Sequence, residues 1–165
     1  MQEAKRLEIL GLLQSDGRLS AEQIAVMVGE PVEAVAAAIR EMEEERVILR
    51  YHTLVDWDRA GKEQVTAWID VKITPQRDYG FDRLAERIAR YPEVRSCYLM
   101  SGTYDLAVEV QAPNLREVSR FVSERLSTLE GVASTTTHFI LKRYKHDGAL
   151  FGGTGDDDER LAVTP

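Results

Sequence analysis

The spacing of apolar residues changes once along this chain, and that change limits it to a helical module followed by a mixed one. Through residues 3–45 they recur every three or four positions, whereas Val65, Ala67, Ile69, Val71 and Ile73 alternate strictly. A 3.6-residue period buries a stripe of a helix and a two-residue period buries one face of a strand, so neither stretch can substitute for the other. Three helices are expected over residues 3–48. Ile9, Leu10 and Leu13 share a face and stop at Ser15-Asp16-Gly17, a turn signal. Ser20-Ala21-Glu22-Gln23 spells a capping box, which opens a helix burying Ile24, Ala25 and Val28. Gly29 ends it and Pro31 suits the first turn of a successor, whose stripe is Val32, Val35, Ile39 and Met42, running to about Glu45. Two helices joined by a short Gly-containing turn, behind a supporting helix, make a helix-turn-helix. Residues 50–56 read as a strand entering a polar linker at residues 58–64.

The second module is expected to be α+β. The strand from Val65 is stopped by Pro75, and Phe81, Leu84, Ala85, Ile88 and Tyr91 mark a helix ended by Pro92. Residues 94–101 and 104–111 read as strands about a turn at Gly102. Asn114 with Glu117 caps a helix carrying Leu115, Val118, Val122, Leu126 and Leu129, which Gly131 closes. Residues 132–144 form the last strand. The order β-α-β-β-α-β is ferredoxin-like, with two helices on one face of a four-stranded antiparallel sheet. The other face then carries Trp68, Tyr98, Met100 and Ile140 among Asp70, Glu109 and His138. An uncovered patch of that size marks an interface, so Trp68, Tyr98, Met100, His138 and Ile140 are expected to meet a second copy across a two-fold axis.

Charge narrows the partners. The 165 residues hold 21 Lys and Arg against 28 Asp and Glu, a net charge of −7, so bulk attraction cannot explain binding to nucleic acid or an anionic membrane. Residues 1–48 carry 5 basic and 10 acidic side chains, and residues 145–165 carry 2 and 5. That last stretch, rich in Gly and Asp, is expected to be a flexible acidic tail, with Leu161, Ala162 and Val163 fraying rather than docking as a short strand. The N-terminus lacks the pattern of a signal peptide or membrane anchor, which makes a cytoplasmic location the expectation. Cys97 is alone, excluding a disulfide framework, and is expected to be a buried small hydrophobe.

An enzymatic reading finds little support. His52, His138 and His146 share no metal-ligand spacing with Cys97 or a carboxylate, no GxSxG, HExxH or phosphate-binding Gly-rich motif occurs, and no cofactor site is expected. Gly152-Gly153-Thr154-Gly155 lacks a following Lys and runs into three aspartates that would repel phosphate.

The order of helix-turn-helix, connecting strand and β-α-β-β-α-β resembles the Lrp/AsnC family of feast-or-famine transcription regulators. The likeness is carried by Asp16-Gly17-Arg18-Leu19-Ser20, Ile24-Ala25 with Val28-Gly29, then Val35, Ile39, Met42-Glu43, Val47-Ile48 and Tyr51, over roughly residues 7–144. In the second module it is carried by Ser101-Gly102-Thr103-Tyr104-Asp105 and by Gly131-Val132 with Thr135 and Thr137. The resemblance implies a head at residues 1–48, a linking strand and linker at 49–61, and an effector-binding and assembly domain at 62–144 ahead of the tail at 145–165. It also implies a dimer, often assembled by fours into an octamer, that binds double-stranded DNA and an amino-acid-like effector. The effector contacts would fall on Gly102, Thr103, Tyr104, Asp105, Thr135 and Thr137. Their chemistry agrees: Gly102 lets backbone N–H groups approach a carboxylate, Asp105 accepts from an ammonium, and threonine hydroxyls serve either end. The competing reading is a hairpin loop in which Asp105 satisfies its own turn.

The third helix departs from the family pattern. Its groove-facing side is expected to show Glu33, Ala34, Ala37, Ala38 and Glu41, with Arg40 as its one cation, and Glu41, Glu43, Glu44 and Glu45 would repel a phosphate backbone they faced. Phosphates need cations and base edges need donors or acceptors, so DNA affinity is expected to be modest, using Arg18, Arg40, Arg46 and Lys5 or Arg6. The alternative is a member with weakened or lost autonomous DNA binding, acting as a ligand sensor or as the partner of a more basic homologue. Arg46 replaces the Gly with which the family usually ends this helix.

Overall fold

The computed structural model describes residues 2–74 and 81–152. The chain divides into two compact units, residues 1–54 and 55–165.

In the first unit, α1 (Glu3–Ser15), α2 (Ala21–Val28) and α3 (Val32–Glu44) enclose a core in which Ile9, Ile24, Val35 and Met42 are fully buried. The expected capping box is made: Ser20 Oγ accepts from the Gln23 backbone N–H at 3.3 Å, and Gln23 Oε1 accepts from that of Ser20 at 2.9 Å. Gly29, at φ 69°, takes the left-handed turn that ends α2. Arg46 does the same after α3 at φ 59°; Val47 N–H donates to the Met42 carbonyl and Arg46 N–H to that of Glu43, the paired bonds of a Schellman cap. No ladder forms over residues 49–56, contrary to the expected strand. An extended segment needs a neighbour for its N–H and C=O groups, and the chain supplies none there. Tyr51 instead turns back to the head, lying against Gly17 and donating its hydroxyl to Glu43 at 2.8 Å.

In the second unit, β1 (Val65–Ile73), α4 (Phe81–Ala89), β2 (Val94–Leu99), β3 (Leu106–Ala112), α5 (Leu115–Phe121) and β4 (Val132–Phe139) build an antiparallel sheet in the order β2-β3-β1-β4. Ile69, Val71, Val108 and Val110 pack with Ile88, Phe121 and Leu126 on the helix-covered face. One helix was expected from Asn114 to Gly131; instead α5 widens into a π turn at Val122–Leu126. The last strand stops at Phe139 rather than Tyr144. The start of the supposed tail is ordered, Lys145–His146 (β5) and Ala149–Leu150 (β6) closing a small hairpin. Its turn residues Asp147 and Gly148 both have positive φ, 46° and 80°, as a type I′ turn demands. The acidic run 156–159, the Leu161-Ala162-Val163 stretch and Pro75 lie outside the described residues. Among the described residues no helix is long and apolar enough to cross a membrane.

Candidate effector site and DNA-binding face

Residues out of phase with Ile69 and Val71 make up the open face of the sheet. Trp68 stands opposite Glu109 on one side and His138 on the other, Asp70 opposite Ala107 and Thr136, and Lys72 opposite Ser134. Directly opposed residues share a face, so the expected set is placed together. Trp68 stacks on Tyr98 at 6.1 Å between ring centroids, across the small Ala107. His138 Nε2 lies 2.9 Å from Asp70 Oδ2, and Ser96 donates to Glu109 at 2.9 Å. Met100 and Ile140 fall just beyond their strands and are 37% and 40% exposed.

At one end of this face the loop 101–104 joins β2 to β3, closed by Met100 N–H donating to the Asp105 carbonyl at 2.8 Å. Asp105 binds its surroundings on both oxygens. Oδ2 accepts from the Ile73 backbone N–H at 2.7 Å, and Oδ1 lies 3.5 Å from Lys72 Nζ, which also donates to the Thr103 carbonyl at 3.2 Å. The register shift between Lys72 and Ile73 frees that Ile73 N–H from the β4 ladder. Gly102, at φ 155°, has nothing within 4 Å of where a Cβ would sit, so the loop tip is open. Lys72 was missed in the sequence, where an outward lysine on an alternating strand looks like ordinary solvation; its signal was Asp70 two positions earlier, placing two opposite charges on one face. The threonines are divided from this cluster. Thr137 opposes Ile69 and Thr135 opposes Val71, so both point to the helix-covered side, and Thr135 Oγ1 lies 3.3 Å from Ser127 Oγ.

In the head, Ala38 is 3% exposed, which corrects its expected place on the groove-facing side. It falls on the stripe with Val35 and Met42, at i+3 and i+7, and belongs to the core. Glu33, Ala37, Arg40 and Glu44 are exposed, with Ala34 partly so. Much of the acidic run is neutralised from within the head. Arg6 donates to Glu41 at 3.2 Å and also to Glu45, and Tyr51 donates to Glu43. Those contacts occupy Arg6. Lys5 donates to Glu8 and to the Val28 carbonyl, and Arg18 makes two 3.0 Å bonds to the Asp16 carboxylate, holding it below its usual range. Arg46 and Arg40 remain exposed.

Cys97 is partly buried against the core, and burial raises its thiol. Among the described residues no group of three His, Cys, Asp or Glu side chains could hold a metal ion.

Residues 66–150 match the family described as Lrp/AsnC ligand binding domain, and residues 2–48 match winged helix-turn-helix DNA-binding. The uncharacterized HTH-type transcriptional regulator YugG of Bacillus subtilis is 54% identical over 162 residues, covering 98% of this chain and 97% of that one. A proline dehydrogenase transcriptional activator of Rhizobium radiobacter is 25% identical over 142 residues, covering 86% and 90%. Among solved structures, an AsnC family transcriptional regulator from Agrobacterium tumefaciens superposes with a TM-score of 0.70 at 25% identity, covering 91% and 96%. A Neisseria meningitidis transcriptional regulator solved with L-Met has the same fold, with a TM-score of 0.68 at 24% identity, covering 88% and 94%.

Proposed function

The chain belongs to the Lrp/AsnC family of transcription regulators, a DNA-binding head followed by a ligand-binding domain, and from that premise we propose that its effector is an amino acid held between Lys72 and Asp105. The observation that carries this reading is the pairing of an ammonium and a carboxylate around an open glycine loop. Lys72 Nζ meets the ligand carboxylate together with N–H groups of the Gly102-Thr103-Tyr104 loop, and the free lone pairs of Asp105 meet its ammonium. Thr135 and Thr137 lie on the helix-covered side of the sheet, so in this reading Lys72, Asp105 and the loop hold the effector without them. The open face with Trp68, Tyr98, Met100, His138 and Ile140 is the surface on which two copies meet. An effector that binds one arrangement of copies more tightly than another shifts the balance between them by that difference.

DNA is met by Arg40 and Arg46, with Arg18 available if it leaves Asp16, while Glu33, Ala34 and Ala37 line the groove-facing side of α3. Glutamate accepts from cytosine and an alanine methyl packs on thymine, so this side is sparse but not blind. A second reading, a member that senses ligand without reading DNA alone, is favoured by the two carboxylates, Glu33 and Glu44, flanking Arg40. Gel shift of the protein's own promoter separates the two. For the effector, calorimetry with L-amino acids larger than alanine should show binding that Lys72→Met weakens at least tenfold and Gly102→Asp abolishes, with the dimer unchanged in sedimentation. Unaltered binding in both variants removes the loop from the site.

A further inference from the structure

The opposite end of the open face is not open. Thr66, out of phase with the buried Ala67 and so on that face, is nevertheless only 7% exposed. What closes over it is the chain after β4. Ile140 N–H donates to the Thr66 carbonyl at 3.0 Å, Arg143 reaches Thr66 Oγ1 at 3.5 Å, and Phe151, tied by its N–H to the Tyr144 carbonyl, lies 5.3 Å beneath the Arg143 guanidinium. Between this strap, the sheet and residues 56–58 is a cavity of about 130 Å³. That is room for a small polar solute.

Its lining is of both signs. Asp56 and Asp58 stand with Gln64, Thr66 and Gln111, against Lys142 and Arg143. Gln64 Oε1 is buried with no hydrogen-bond partner, a costly state for an acceptor unless something donates to it. Arg143 has five N–H donors and makes one long bond, and its stacking on Phe151 fixes the plane of the fork. Asp56 spends one oxygen on the Arg59 backbone N–H at 3.1 Å, which leaves Asp58 as the freer carboxylate.

We propose that this cavity is a second ligand site, taking a small zwitterion of the size of glycine or alanine. The ammonium donates to Gln64 Oε1 and Asp58; the carboxylate accepts from the Arg143 fork. The site is separate from the one at Lys72, since six residues of β1 at about 3.4 Å each put them some 20 Å apart. One wall is the segment preceding β1 and another is the hairpin strap, so a ligand here orders both.

The test is calorimetry on the full chain with glycine, L-alanine and L-tryptophan as probes, comparing wild type, Gly102→Asp, Arg143→Met and Gln64→Leu. Gln64→Leu leaves the strap contacts in place and guards against loss of the hairpin in Arg143→Met. Glycine or alanine should bind the wild type and Gly102→Asp alike, and at least tenfold more weakly in both other variants, while tryptophan should not bind Gly102→Asp. Binding of glycine and alanine unaffected by Gln64→Leu and Arg143→Met, or abolished by Gly102→Asp alone, overturns the proposal, as does no binding of either. Binding lost only in Gln64→Leu and Arg143→Met, across the whole amino-acid panel, would sustain this site while removing the one at Lys72.

Discussion

Tyr51 ties the chain leaving the head back to the head itself. Its ring covers Gly17 and its hydroxyl donates to Glu43. Partial burial, and the negative charge beside it, push that hydroxyl up to about 12. The folded state therefore holds the proton more tightly than the unfolded chain, whose tyrosines titrate near pH 10. Below about pH 10 both states are protonated and the contact contributes in full; as pH rises towards 12 the unfolded chain gives up its proton first, and the contribution is lost. Absorbance titration at 295 nm should show one of the six tyrosines ionising last, and Tyr51→Phe should remove that step. In unfolding experiments the stability gap between wild type and Tyr51→Phe should close over the same range. A gap constant from pH 9 to 12 would mean that the hydroxyl does not hold Glu43 in solution.

The end of α3 shows what one residue asks of an element. A Schellman cap needs a left-handed residue, and Arg46 occupies it at about 1–2 kcal/mol more than glycine would. Arg46→Gly should therefore raise stability by about 0.5–1 kcal/mol, part of the gain being offset by the greater freedom of glycine in the unfolded chain. Urea unfolding with an unchanged slope would show it. DNA affinity should fall at the same time, because the exposed cation is gone, so an unaltered gel shift would take Arg46 out of the interface. Elements set by local relations were legible in the sequence: the capping box at Ser20, the stop at Gly29, the alternation of β1. The π turn at Val122–Leu126 was signalled only weakly, by two successive four-residue steps from Val118 to Val122 to Leu126, which overrun a 3.6-residue period. Asp147-Gly148 is a strong hairpin signal that the acidity around it concealed. The turn at Gly102 between two strands was readable as well. The facing of Thr135 and Thr137, and the recruitment of Lys72, depend on which residues of β1 they oppose, and spacing within one strand does not contain that. The buried place of Ala38 was equally hidden, since an alanine carries too little apolar surface to declare its side of a helix.

At the scale of the molecule the question is how an acidic protein binds an acidic polymer. Residues 1–48 hold five cations, and the structure commits Lys5, Arg6 and Arg18 to carboxylates of the head itself. Exposed pairs of this kind add little stability, so their larger effect is to set how many charges reach DNA. On the reading proposed above, Arg40 and Arg46 are exposed with Arg50 just beyond, and two heads offer about four to six cations to phosphates. Each neutralised phosphate contributes about 0.9 to the dependence of log K on log salt, so the slope should be near −4 to −5. Fluorescence anisotropy between 50 and 200 mM salt measures it directly. A slope near −10 would require that Lys5, Arg6 and Arg18 abandon their partners on DNA. The intramolecular pairing can be probed from the other side: Glu41→Gln with Glu45→Gln releases Arg6, and should both tighten binding and steepen the slope by about 1 per head. Tighter binding at an unchanged slope would mean that the two glutamates act only by repelling DNA, and that Arg6 never reaches a phosphate.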